Sequence, residues 1–411
     1  MSILGRVAEL RAQGVDVVSL CAGEPGAGAP PAVNEAAAAL HASGQALTYS
    51  PSLGITPLRE AIAAHYGRWY GLDVGPEQVA VTTGSSGAFM LGFLAAFEAG
   101  DRVALARPGY PAYRNILSAM GCEVVELDAG PASRHQPTVT LLEEATAQHG
   151  PLAGLILASP ANPTGTMVTA AELEELARWC DDHCVRLVSD EIYHGIVYAQ
   201  PEAGTGAGDE ATREAAHEVT DGAGSTPAAQ SRGTCAREFS DSAIIISSFS
   251  KFWGMPGWRL GWMLMPDDLR ETVAGLAGSV ALCPPVGPQH AAVQAFTEES
   301  LAFCDAQVAE FAATRALLLE RVAELGWVDV APADGAFYLW ARLPAWALER
   351  FGDALGYCTA LLEEAGVAIT PGADFDAVAG PQCVRLSFAA GQGAVREALK
   401  RIIAWQERHQ D

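Results

Sequence analysis

Residues 78–128, QVAVTTGSSGAFMLGFLAAFEAGDRVALARPGYPAYRNILSAMGCEVVELD, switch between two hydrophobic periods. The run QVAVTTG predicts a short buried strand and AFMLGFLAAFEAG a helix ending at glycine; RVALARP, AYRNILSAMG and CEVVELD then predict strand, helix and strand. Upstream, LREAIAAHYGRWYG reads as a helix. Downstream the alternation continues through LAGLILASP, the helix AAELEELARWCDDHC, VRLVSD and AIIISSFS. Strands that are almost unbroken Val, Ile and Leu, separated by helices, predict an α/β fold whose mostly parallel sheet is covered on both faces. After residue 290 the texture changes to long helices with a few strands, AFYLWARL and CVRLSFA among them, which predicts a smaller α+β domain. The expected division is an N-terminal segment 1–45 joining the small domain, a large domain 46–289, and a small domain 290–411.

Composition narrows the function before any motif does. The 411 residues carry a formal net charge of −24 and are half hydrophobic. Such acidity argues against a nucleic-acid backbone or an anionic membrane as partner. No apolar run is long enough to span a bilayer and charges break the N-terminal runs, so a soluble, cytoplasmic protein without a signal peptide is expected. Nine cysteines without framework spacing suit a reducing compartment. Cys180, His183 and Cys184 lack a second ligand pair, so a core role is expected for these cysteines and no metal site is expected. Residues 200–240, rich in Gly, Ala, Glu and Ser, read as a mobile surface insertion outside any ligand site.

Only two of the 25 basic residues are lysines, Lys251 and Lys400. Arginine can supply charge, but a lysine amine that loses its proton can form a Schiff base. Ligands in open α/β sheets bind at the carboxyl ends of strands. Those ends deliver Gly84, Ser85 and Ser86 to a helix start suited to phosphate, Asn162 on a turn, Asp190 followed by Tyr193, and Ser248 with Lys251. Arg259 follows eight residues later, able to clamp phosphate bidentately. An amine, a carboxylate for a pyridinium nitrogen, two donors for an oxygen and a phosphate cradle together point to pyridoxal 5′-phosphate.

From GEP at Gly23–Pro25 through YSPSLGITPLRE, SPANPTGT, SDEIYHGIVY, SSFSKFWGMPGWRLGW and CVRLSFA, the chain resembles the class I/II aminotransferases, pyridoxal-phosphate enzymes of fold type I. The motifs fall in the family's order and cover nearly the whole chain. The resemblance implies that Lys251 holds the cofactor as an aldimine and then shuttles the substrate proton. Asp190 would keep the ring nitrogen protonated, and Asn162 and Tyr193 would donate to the phenolic oxygen. Ser85, Ser86, Ser248 and Arg259 would hold the phosphate, with Tyr110 stacked on the ring. Tyr49 would reach the phosphate across a homodimer interface with shared sites, and Arg385 would bind the substrate carboxylate, helped by Asn162 and the backbone near Gly23.

The function so implied is transfer of an amino group between an L-amino acid and a 2-oxo acid. A β-eliminating lyase could use the same residues; a non-catalytic pyridoxal-phosphate sensor fused to a basic N-terminal DNA-binding segment is not expected, since GEP begins by residue 23 and the chain is acidic. Dicarboxylate-specific relatives carry an extra cation near the substrate side chain, in some at the position of Ser86, so aspartate and glutamate are disfavoured donors. Trp253, Trp258 and Phe337 suggest apolar surroundings for the substrate.

Overall fold

A computed structural model describes residues 3–198 and 232–410 of the chain. Its strands, in chain order, are β1 (Val18–Ser19), β2 (Val79–Thr82), β3 (Arg102–Arg107), β4 (Glu123–Asp128), β5 (Gly154–Ala158), β6 (Arg186–Asp190), β7 (Ile244–Ser248), β8 (Gly261–Leu264), β9 (Tyr338–Arg342), β10 (Val367–Ala368), β11 (Thr370–Pro371) and β12 (Cys383–Ser387). Seven form one sheet in the order β2-β8-β7-β6-β5-β3-β4. The pairings are parallel from β7 to β4, and β8 runs antiparallel to both β2 and β7.

Alternation within the central strands explains their unbroken apolar composition. Leu155, Leu187 and Ile245 pack in one core with Leu142, Leu173 and Leu176 of the helices Val139–His149 and Ala170–Asp182. Ile156, Val188, Ile244 and Ile246 face the other way, against Phe89 and Phe93 of the helix Gly84–Ala96. Both pleat faces are buried, so neither has use for polar residues. The remaining strands make a three-stranded antiparallel sheet, β11-β12-β9, and a parallel pair of β1 with β10. That pair ties the N-terminal segment to the C-terminal part of the chain.

The helix expected to end near Cys184 spans Ala170–Asp182, with His183 as its cap. Cys180 is buried as expected, but Cys184 lies beyond the helix, exposed and at φ +55°. The stretch 200–240 is not surface throughout. Arg232 makes a bidentate ion pair with Asp305 at 2.5 and 2.9 Å, Cys235 and Ala236 are fully buried, and Ala236 N–H donates to Glu191 at 2.9 Å. Small residues among polar ones hid this core contact. The remainder of that expectation, residues 200–231, lies outside the described residues.

Candidate active site

Strand order creates the crevice. From β3 the chain moves outward to β4, and from β5 it moves the opposite way through β6 to β7, so the segments leaving β3 and β5 diverge. Tyr110 follows β3, Asn162 follows β5, Asp190 ends β6 and Lys251 follows β7. All four line a cavity of about 470 Å³, with Gly23, Ser85, Ser86, Tyr193, Arg259 and Arg385 from the expected set. A larger cavity of about 580 Å³ shares its Pro256–Gly257 wall, but its lining is mostly small and apolar, with His41 as its only titratable side chain.

Lys251 is held by a rigid turn. Trp253 packs among Phe249, Trp262 and Phe296 and donates its indole N–H to Ala295 O at 3.0 Å. Gly254 N–H donates to Lys251 O at 3.1 Å, at φ +63°. A side chain there would also strike the Gly28 carbonyl, so the turn demands glycine. Lys251 Nζ donates to Gly23 O at 2.7 Å. Burial pushes its pKa down from 10.5 to about 8, against the opposing pull of Glu24. At pH 7 roughly a tenth of such amines are unprotonated and nucleophilic. Capture of an aldehyde by this amine is therefore expected to accelerate about tenfold per pH unit below about 8 and to level off above it. Stopped-flow absorbance of apoprotein mixed with pyridoxal phosphate between pH 6 and 10 checks this; a rate still climbing at pH 10 would contradict it.

Asp190 lies in the floor, with Ile192 N–H donating to Oδ1 at 3.1 Å and the Tyr113 hydroxyl donating to Oδ2. Burial raises its pKa to about 6, while Tyr113, the Ile192 amide and Lys251 favour the carboxylate. Among the described residues its charge has no arginine partner within hydrogen-bonding distance, which leaves it able to pair with a cationic ring nitrogen.

At the opposite end, Ser85 and Ser86 sit in the first turn of the helix Gly84–Ala96, where unpaired N–H groups favour an anion. Gly84 adopts φ +68°, and a Cβ on it would come within 2.5 Å of Arg259 Nη2. Glycine thus lets the guanidinium lie against the helix start. Arg259 itself takes φ +53° and is steadied by Nη1 donating to Pro256 O at 3.0 Å.

Arg385 is buried between two rings, Tyr338 at 4.7 Å and Phe375 at 4.8 Å. It donates to Asn162 Oδ1 at 2.9 Å and to Cys21 O at 2.6 Å, and its Nε–H has no partner. Its hydrogen bonds go to neutral oxygens, so among the described residues this buried cation has no ion-pair partner. A carboxylate is the ligand that would complete it.

Three expected residues lie elsewhere. Ser248 is fully buried behind the wall: its Oγ lies 3.0 Å from Leu260 O and accepts Ser250 N–H at 3.0 Å, and Ser250 lines the cavity in its place. Gly84 shapes the cradle from behind. Tyr49 is 79 % exposed, away from the cavity of its own chain. Trp253 and Phe337 are core residues and Trp258 faces the neighbouring cavity, so none of them surrounds the substrate space. The sequence reading missed Tyr113, Ser250 and Tyr338. Ser250 was legible as the second serine of the SFSK turn; the tyrosines carried no signal to separate them from core aromatics.

This geometry belongs to a recognisable family. The family model for aminotransferase class I and II matches residues 15–402, and the chain belongs to that family. It is an aminotransferase. It is 48 % identical to the valine–pyruvate aminotransferase of Mycobacterium tuberculosis, over 95 % of this chain and 91 % of the relative. It is 32 % identical to the aspartate/prephenate aminotransferase of Thermus thermophilus, over 98 % and 94 %. A crystal structure of an aminotransferase from Mycobacterium tuberculosis superposes with a TM-score of 0.85 at 46 % identity, covering 99 % of this chain and 95 % of that one. Among the described residues, no helix is long and apolar enough to cross a membrane.

Proposed function

We propose that this chain is a pyridoxal 5′-phosphate-dependent aminotransferase taking an L-amino acid with an uncharged aliphatic side chain as donor and a small 2-oxo acid as acceptor. The observation that carries the reading is the cavity itself, which sets an amine of lowered pKa, a buried carboxylate and a buried arginine, neither with an ion-pair partner among the described residues, around one space. The residues present fit the cofactor: Gly84 leaves room for Arg259 against a helix start, and Asp190 awaits a cation. When bound, the cofactor supplies an aldehyde to hold the amino group and a ring to draw charge from the substrate Cα. The Lys251 amine would hold that aldehyde, with loss of water, and once freed by the incoming amine would take the Cα proton and return it. Asp190 would keep the ring nitrogen cationic, Asn162 and Tyr193 would donate to the phenolic oxygen, and Tyr110 would stack on the ring. Ser85, Ser86, Ser250 and Arg259 would receive the phosphate, with the helix dipole behind them. Arg385 fixes the α-carboxylate, next to Asn162 and the Gly23 backbone.

Side-chain preference follows from charge. The cations lining the cavity are Lys251, Arg259 and Arg385, each already committed, so among the described residues none is left for a second carboxylate. The valine–pyruvate relative supports the same preference. We also place the protein in the cytoplasm as a homodimer, with exposed Tyr49 reaching the partner's phosphate site. The domain division proposed is 1–45 with 290–411, against 46–289.

The test is absorbance of the cofactor-loaded protein as single L-amino acids are added without oxo acid. Conversion to a stable pyridoxamine-type spectrum with one equivalent of oxo acid released is expected for valine and its like, and weakly for aspartate. Catalytic release of pyruvate and ammonia, with the original spectrum retained, would instead make the chain a β-eliminating lyase.

A further inference from the structure

Tyr338 touches three functional groups at once, although nothing in the sequence set it apart. It opens β9 in the small antiparallel sheet, fully buried, and its ring backs the Arg385 guanidinium at 4.7 Å. Its hydroxyl lies 2.7 Å from that of Tyr193. It also presses on Gly23, where a Cβ would overlap the Tyr338 hydroxyl, and Gly23 O is the acceptor of Lys251. The geometry points to Tyr338 as a positioning residue whose hydroxyl donates to Tyr193, leaving the Tyr193 proton free to point into the cavity, while its ring holds Arg385 flat.

The proton's direction follows from charge. The Arg385 guanidinium faces the Tyr338 ring at 4.7 Å and favours ionisation of that phenol; the more acidic hydroxyl of a pair donates and its partner accepts. Burial pushes both tyrosines above the usual phenol range, Tyr193 further than Tyr338, which leaves Tyr338 the more acidic of the two. A hydroxyl that accepts one hydrogen bond is a better donor of the next. Tyr338 thereby strengthens what Tyr193 offers the cofactor's phenolic oxygen, and one side chain links recognition of the substrate carboxylate to the electronics of the cofactor. This inference rests on the cofactor reading above.

Tyr338→Phe keeps the ring and removes the hydroxyl. A weaker donor at the phenolic oxygen leaves that oxygen with more affinity for the proton it shares with the nitrogen of the Lys251 linkage. The pH midpoint of the bound cofactor's absorbance is therefore expected to rise by about one unit. Turnover should fall by about three- to tenfold, while KM for the amino acid stays within about twofold because Arg385 keeps its stacking partner. In a Tyr193→Phe background the same substitution should shift the midpoint no further. An unshifted midpoint in Tyr338→Phe, or an equal shift with Tyr193 already replaced, would overturn the proposal. So would a variant that fails to fold or to take up cofactor, since the hydroxyl would then be structural. A wild-type protein with no titrating cofactor band would sink the cofactor reading instead, so the two failures are distinguishable.

Discussion

Lys251→Ala is expected to cut transamination by about 10⁴-fold, the upper end of what one positioned acid–base group contributes, because the same amine also serves as nucleophile. Nothing nearby can replace it. The other lysine, Lys400, lies on the helix Gly391–Gln410, outside the cavity, and the guanidinium groups of Arg259 and Arg385 cannot form the Schiff base that an amine forms. Borohydride treatment should fix cofactor to the wild type and leave Lys251→Ala unlabelled; covalent label on the variant would refute the assignment. The fold should not suffer. The amine's folded-state pKa, about 8, lies below its unfolded value, so its charge destabilises the fold at pH below about 8, and that penalty is relieved as pH rises towards 10.5. Removing the amine removes the penalty, so apo Lys251→Ala should melt no lower than wild type at pH 7. A lower melting temperature would mean that the lysine is structural.

Asp190→Asn is expected to lower kcat by about 10²- to 10³-fold with KM changed little, as removal of a preorganised electrostatic partner does. The amide has almost the same shape. Its oxygen can still accept Ile192 N–H, and the Tyr113 hydroxyl can turn from donor to acceptor. What disappears is the negative charge that would hold a proton on the ring nitrogen. Steady-state kinetics with valine and pyruvate would read the effect; a loss smaller than about tenfold would show that the ring nitrogen does not depend on Asp190.

Much of the site was legible because strand ends are local. Where a buried apolar run stops at VTTG, LVSD or IIISSFSK, the residues just past it must leave the sheet at its carboxyl edge, and chemistry-bearing side chains there have few other reasons to exist. Ser248 and Ser250 mark the limit of that logic. Both follow the same strand, but which hydroxyl closes the turn and which faces the cavity depends on Leu260 O, twelve residues along the chain from Ser248. Trp253 and Tyr338 were harder still, since an aromatic residue at a core position looks the same in sequence whether its neighbour is another ring or an arginine.

The linear chain thus determined the parallel sheet and the placing of Lys251 and Asp190 at strand ends, since hydrophobic period, residue chemistry and position at a strand end are all properties of short segments. The tertiary structure alone decided that Tyr113 would meet Asp190, that Tyr338 would bridge Tyr193 and Arg385, and that Arg385 would be buried with no ion-pair partner among the described residues. The contacts Tyr113–Asp190, Tyr338–Tyr193 and Arg385–Asn162 join residues 77, 145 and 223 positions apart. No periodicity reaches across such distances; only tertiary packing brings the groups together, and with them the desolvation that sets their charge states.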